Sequence, residues 1–235
     1  MIEALVSRYG LDSAAATRLE TLLDRLVGDP AAPTSVRDPK RALDDHLADS
    51  LVALELPEVR AASTIADLGA GAGLPGLPLA IALPSAAVYL VESNRRKCEF
   101  ITRTAAACEL DNAEVVNRRA EDWPEGAGRF DLITARALAP LPVVAEYAAP
   151  LLTIGGTLLT WRGRRDPADE AAGRAAAREL GLEMGDSVRV LPYPQAVHRH
   201  LQWVHRESVP AQEDWLSAHW RSPSCRPVSA ARRPR

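Results

Sequence analysis

The sequence predicts an α/β domain: a mostly parallel β-sheet with helices on both faces, preceded by a short helical segment. Three observations carry this. From Ala62 to about Arg206, short apolar runs alternate with longer helical stretches. A glycine-rich turn, Gly69 to Gly76, joins the first of those runs to a helix. Before about Leu56 the pattern is helical only. Strands that are apolar on both faces need cover on both sides, which a helix-wrapped parallel sheet supplies.

Taken in order, Leu19, Leu22, Leu23 and Leu26 recur at helical spacing. Gly28-Asp29-Pro30-Ala31-Ala32-Pro33 reads as a loop. Asp38-Pro39 then supplies an N-cap and a first-turn proline for a second helix carrying Leu43, Leu47, Leu51 and Leu54. Ser63 to Leu68 is the first strand, Ala86 to Val91 the second, and Glu114 to Val116 a short third. Phe130 to Ile133 and Thr157 to Trp161 follow, with helices over Arg95 to Cys108 and Pro167 to Leu180. Gly181 to Val190 and Leu201 to Val204 read as two closing strands, a hairpin at one sheet edge. Ser222 to Arg235 is basic, lacks an apolar face, and is expected to be a disordered, passive tail. The division is therefore a helical N-terminal extension (1–56), a ligand-binding domain (57–207) and a C-terminal extension (208–235).

With 235 residues, 47% hydrophobic, the chain has material for one sizeable core. Its formal net charge of -3 gives no global attraction to nucleic acid, so any such surface must be one local face. Lys40 and Lys97 are the only lysines; arginine supplies the other cations. Cys98, Cys108 and Cys225 show neither metal spacing nor a disulfide framework, which suits a reducing compartment. No signal sequence or membrane-length apolar run is evident, so a soluble, cytoplasmic, monomeric protein is expected.

The most informative segment is Asp67-Leu68-Gly69-Ala70-Gly71-Ala72-Gly73-Leu74-Pro75-Gly76. Glycines let the backbone turn sharply and bring main-chain N–H groups to a ligand. Glu92 closes the second strand, where a carboxylate can accept hydrogen bonds from both hydroxyls of an adenosine ribose. A tight turn without ligand is the plain alternative, and Gly71-x-Gly73-x-x-Gly76 also fits a dinucleotide fingerprint. A dehydrogenase would need a hydride site and a substrate domain, and the sequence offers neither. Asp67 with the alternating glycines resembles motif I of class I, Rossmann-like methyltransferases, which implies a seven-stranded, mostly parallel sheet. Ala120-Glu121-Asp122 stands where such enzymes hold the adenine.

Several separate stretches narrow the resemblance. Thr34-Ser35-Val36-Arg37-Asp38-Pro39, His46-Leu47-Ala48-Asp49-Ser50-Leu51, Gly73 to Ile81, Arg119-Ala120-Glu121-Asp122 and Ala135-Arg136-Ala137 follow in order, and Arg199-His200-Leu201 comes later. Together they resemble the RsmG/GidB family over roughly residues 34 to 165. The resemblance implies S-adenosylmethionine held at Gly69, Leu74, Glu92, Ala120, Glu121 and Arg136, and Asp67, Gly71 and Gly73 of the same motif are expected among the cofactor-binding residues. It also implies 16S ribosomal RNA, alone or in the small subunit, as partner, and N7 of a decoding-centre guanine as acceptor. The sequence departs from the family at Leu26 to Pro30, where a Trp-Asn stretch is usual, and at Arg162-Gly163, where Lys-Gly is common.

Arg136 ends a strand at the carboxyl edge of the sheet, where ligands of open α/β sheets bind. Its alternative is a salt bridge with Asp131 or Glu121. Arg37, Arg162, Arg164 and Arg165 are the RNA-contact candidates, against the reading of a solvated charged face. His46 enters as a substrate-positioning candidate through the resemblance alone. His198 and His200 lack metal-ligand company, and no metal is expected. Two rival functions are a class I methyltransferase for a small molecule or protein, and a cofactor- or RNA-binding protein without turnover.

Overall fold

The computed structural model describes residues 2–207, so the C-terminal extension with its basic tail, and Cys225, lie outside the described residues. Two helices open the chain, α1 (Ile2–Tyr9) and α2 (Ser13–Gly28). Asp12 caps α2 by accepting a 2.7 Å hydrogen bond from the Ala15 N–H. At its other end, the Arg37 guanidinium donates to the carbonyls of Leu26, Asp29 and Ala32 at 3.1, 2.9 and 3.1 Å. These carbonyls include ones the helix leaves without an internal donor.

Asp38 caps α3 (Pro39–Ala42) through the Arg41 N–H, as expected. The helix then widens into a π turn (Leu43–Ala48), continues as α4 (Asp49–Leu51) and tightens to a 3₁₀ turn (Val52–Glu55). A short α5 (Pro57–Ala61) leads into the sheet.

The alternating part runs β1 (Thr64–Leu68), α6 (Gly76–Ala82), β2 (Ala87–Val91), α7 (Arg95–Ala107) and β3 (Ala113–Val116). Two 3₁₀ turns precede β4 (Phe130–Arg136), followed by α8 (Leu141–Ala148), β5 (Leu152–Arg162) and α9 (Pro167–Glu179). The chain closes with β6 (Leu182–Met184), β7 (Val188–Arg189) and β8 (His200–Arg206). The sheet order is β3-β2-β1-β4-β5-β8-β6, with β7 also paired to β8. The first five strands are parallel, and β8 is antiparallel to β5, β6 and β7.

The strand expected over Gly181 to Val190 is instead two short strands, and β8 inserts between β5 and β6. The break falls at Gly185, where an added Cβ would lie 1.8 Å from the Trp203 ring. The indole needs that space, and Gln202 Nε2 donates to the Gly185 carbonyl at 2.6 Å.

The sheet divides the interior. On one face Leu19, Leu22 and Leu26 of α2 share a cluster with Leu47, Ile65, Leu77 and Phe100. On the other, Leu68, Phe130, Leu141 and Leu158 pack together. The N-terminal helices thus complete one side of the core, since β1 and β2 would otherwise expose that face to water.

Candidate active site

The chain turns immediately after β1. Gly69 and Ala70 donate to the Val91 carbonyl at 2.8 and 3.1 Å, stitching the turn to the end of β2. Gly69 has φ +68°, and an added Cβ would meet Leu138 Cδ1 at 2.6 Å, so geometry and space both require glycine there. Asp67 is fully buried beneath the turn. Its Oδ2 accepts from the Gly76 N–H and its Oδ1 from the Thr134 hydroxyl, both at 2.9 Å. Burial pushes its pKa from 3.8 up to about 7, against the pull of those two donors. The expectation that Asp67 belongs to the cofactor contacts is therefore corrected: it shapes the glycine turn from below and has no surface in the cleft.

Above the turn opens a cleft of about 340 Å³, within the usual size of a small-ligand site. Of the residues expected there, Gly69, Glu92, Ala120 and Glu121 line it. Gly71, Gly73 and Leu74 do not: Leu74 is buried, and Gly73 packs against Leu77. Gly71 contributes indirectly, donating its N–H to Glu92 Oε2 at 3.1 Å. Glu92 Oε1 accepts from the Asn94 N–H at 2.8 Å, and Lys97 Nζ stands 3.7 Å from Oε2. Each carboxylate oxygen so keeps acceptor capacity for hydroxyls in the cleft. That spare capacity, in a cleft also lined by Gly69, fits the adenosine part of S-adenosylmethionine.

Arg118, Leu138 and Tyr147 also line the cleft and were not anticipated. Leu138 could have been suspected as an apolar residue directly following a strand's carboxyl end. Its neighbour Ala137 holds φ +55°, uncommon for a non-glycine residue, and lines the cleft too. Tyr147 had no local signal.

Arg136 lies beside the cleft in a partly buried polar network around the buried Asp49. Its Nη1 donates to Asp49 Oδ2 at 3.0 Å and to the Asp45 carbonyl at 3.3 Å. The salt bridge considered with Asp131 or Glu121 is thus made with Asp49. Asp131 instead accepts from the N–H groups of Ser63 and Thr64, both at 3.0 Å. Asp49 also takes Arg199 Nε at 2.9 Å on Oδ1, while its carbonyl accepts from Trp161 Nε1 at 2.6 Å. Tyr193 donates to Asp45 Oδ1 at 2.7 Å, and burial raises its phenol to about 12.

His46 sits in the π turn, with Nε2 2.9 Å from Thr34 Oγ1 and Nδ1 buried without a hydrogen-bond partner. Burial, then the Arg136 charge, keeps its pKa below 6.5. The ring is therefore neutral at pH 7.

The four RNA-contact candidates part company. Arg37 spends its guanidinium on main-chain carbonyls, as described. Arg162 pairs with Asp169, and Arg165 with Glu170 at 2.6 Å. Of these four, Arg164 alone is exposed with neither an ion pair nor a side-chain hydrogen bond among the described residues. Three of the four RNA-contact candidates thus already have partners within the protein.

The family model GidB, described as rRNA small subunit methyltransferase G, matches residues 22–192. A ribosomal RNA small subunit methyltransferase G of Rubrobacter xylanophilus is 38% identical over 162 residues, 68% of this chain and 62% of that protein. The protein of the same name from Desulfitobacterium hafniense is 36% identical over 190 residues, 79% of this chain and 78% of that one. Among solved structures, Aeropyrum pernix fibrillarin with natively bound S-adenosyl-L-methionine superposes with a TM-score of 0.54. It shares 19% identity over 67% of this chain and 72% of its own, a likeness of fold.

Proposed function

We propose that this chain, which belongs to the GidB family of small-subunit ribosomal RNA methyltransferases, methylates N7 of a decoding-centre guanine in 16S ribosomal RNA. The observation that carries the reading is Glu92, held at the end of β2 by the Gly71 and Asn94 N–H groups with its carboxylate in the cleft. S-adenosylmethionine supplies an electrophilic methyl group on a sulfonium sulfur. Glu92 would accept hydrogen bonds from the ribose hydroxyls, and Ala120 and Glu121 would flank the adenine. Arg136, held by Asp49 next to the cleft-lining Ala137, would serve the bound cofactor from that side. An rRNA substrate places the reaction in the cytoplasm, and one chain holds every residue invoked, so a monomer suffices.

Glu92→Ala should weaken S-adenosylmethionine binding roughly ten- to a hundredfold, since hydrogen bonds to a charged acceptor are worth about 1.5–3 kcal/mol. Calorimetry on both proteins measures it. Unchanged affinity would remove the ribose role.

Guanine N7 carries an in-plane lone pair and no proton, so no general base is required and the protein's task is alignment. His46 fits a positioning role, neutral and bonded to Thr34. The single-turnover rate should then be nearly flat between about pH 6.5 and 9, in wild type and in Asp122→Asn. A steep titration lost with one substitution would move the acceptor to a protonated nitrogen or a hydroxyl. The direct test is to incubate the enzyme with labelled S-adenosylmethionine and either naked 16S RNA or small subunits, then map the modified nucleotide. One 7-methylguanosine in the decoding-centre loop is expected. Label on a small molecule or protein alone would overturn the reading.

A further inference from the structure

Most arginines near the cleft are already answered by a carboxylate. Arg95 pairs with Glu99, Arg119 with Glu121, Arg136 with Asp49, Arg162 with Asp169 and Arg165 with Glu170. A phosphate approaching any of these also approaches an anion a few ångströms away, and the net attraction is small.

Sorting by this criterion leaves four exposed arginines at the carboxyl edge of the parallel strands with no ion pair among the described residues. Arg118 follows β3 and Arg96 opens α7 just after β2. Asn117 holds these two loops together, its Nδ2 donating to the Glu92 and Ser93 carbonyls at 3.0 and 3.1 Å. Arg164 follows β5, in a loop tied down by a 3.0 Å contact between His200 Nδ1 and the Gly163 carbonyl. Arg189 lies in β7 opposite His200, which itself pairs with Arg162 at the end of β5, so Arg189 stands at the same edge.

Strand order spaces these cations. From β3 the sequence of neighbours is β2, β1, β4, β5, β8 and then β7, with the cleft at the ends of β3, β2, β1 and β4 and Arg118 on its β3 rim. Six steps of ~4.8 Å span ~29 Å. That matches roughly eight stacked nucleotides at ~3.4 Å each.

From this row we infer that a single RNA strand crosses the cleft mouth along the carboxyl edge, with phosphates held by Arg118 and Arg96 on one side and by Arg164 and Arg189 on the other. The inference rests on the ribosomal RNA reading and adds the path of the substrate. A single strand is required because N7 of a paired guanine lies in the deep, narrow major groove of A-form RNA, which side chains cannot read. Paired arginines in the same region contribute little to this binding.

The test measures binding of a fluorescent decoding-loop RNA to the full chain as a function of salt. Variants are Arg96→Gln, Arg118→Gln, Arg164→Gln and Arg189→Gln, with Arg95→Gln and Arg162→Gln as paired controls. Each phosphate contact removed should lower the slope of log affinity against log salt by about 0.7. Reductions from at least one variant on each side of the cleft, with unchanged controls, support the path. Reductions on one side only, none at all, or equal reductions in the controls overturn it. Methylation of the same RNA by wild type is followed in parallel. Loss of the path with methylation intact refutes the docking alone, whereas absent methylation refutes the acceptor reading itself.

Discussion

Replacing Asp49 by alanine is expected to destabilise the protein by about 3–5 kcal/mol, the usual cost of stranding a buried charge by removing its partner. The Asp49 carboxylate is 6% exposed and answers two guanidiniums, Arg136 at 18% and Arg199 at 33% exposure. Arg136 carries the larger share, because Arg199 can recover water. For a domain of this length the loss corresponds to a melting temperature lower by on the order of 10 °C. Thermal denaturation measures it, and a shift below about 2 °C would show that the carboxylate holds neither cation in place. Adding Arg136→Met to Asp49→Ala should restore part of the stability, since the stranded charge goes with it. Methyl transfer should not return, because the cation proposed to serve the cofactor is then gone.

The second large effect concerns Asp67 and depends on pH. Burial raises its folded pKa from 3.8 to about 7, so between those values the folded protein keeps a proton that the unfolded chain releases. Wild-type stability therefore falls as pH rises from about 4 to 7 on account of this group, and the loss is complete above 7. Asp67→Asn has the same shape and no charge to bury. Its carbonyl can accept from the Gly76 N–H, and its amide can donate to Thr134, whose hydroxyl can turn to accept. The variant should match or fall below wild type near pH 4. It should gain on wild type by about 1.4 kcal/mol for each pH unit of the shift, reaching a few kcal/mol at pH 8. Denaturant midpoints at both pH values give the difference. A gap independent of pH would mean that Asp67 is ionised in the folded protein throughout.

Local features of the site were legible in the sequence. The glycine turn, Glu92 and Ala120-Glu121 each depend on a few contiguous residues, although of the turn's expected residues only Gly69 lines the cleft. Features set by distant partners were not. Asp49 and Arg136 meet across 87 positions, and no local pattern of either residue selects the other. Arg37 looked like a free cation because its acceptors are main-chain carbonyls, which every residue carries. The pairing of Arg162 and Arg165 with the first turn of α9 was hidden differently: Asp169 and Glu170 read as ordinary first-turn acids of a helix. Helix α8 escaped because Leu141, Val143, Val144 and Ala145 are all buried, leaving little polar contrast to mark a face. The break at Gly185 is dictated by the ring of Trp203, a residue on another strand.

The late insertion of β8 has a consequence for synthesis on the ribosome. Chains emerge from the N-terminus, and domains begin to fold as they do so. Strand β5, 11 residues long, is complete by Arg162, yet its outer neighbour, β8, begins only at His200. Until that segment appears, β5 is an open edge, and β6 has no strand to join because its neighbour is also β8. An open edge of that length is a template for pairing with another nascent copy. A chain stopped before residue 200 should therefore be recovered as aggregate instead of as a smaller methyltransferase, and slow decoding between residues 162 and 200 should lower the soluble yield of the full-length protein.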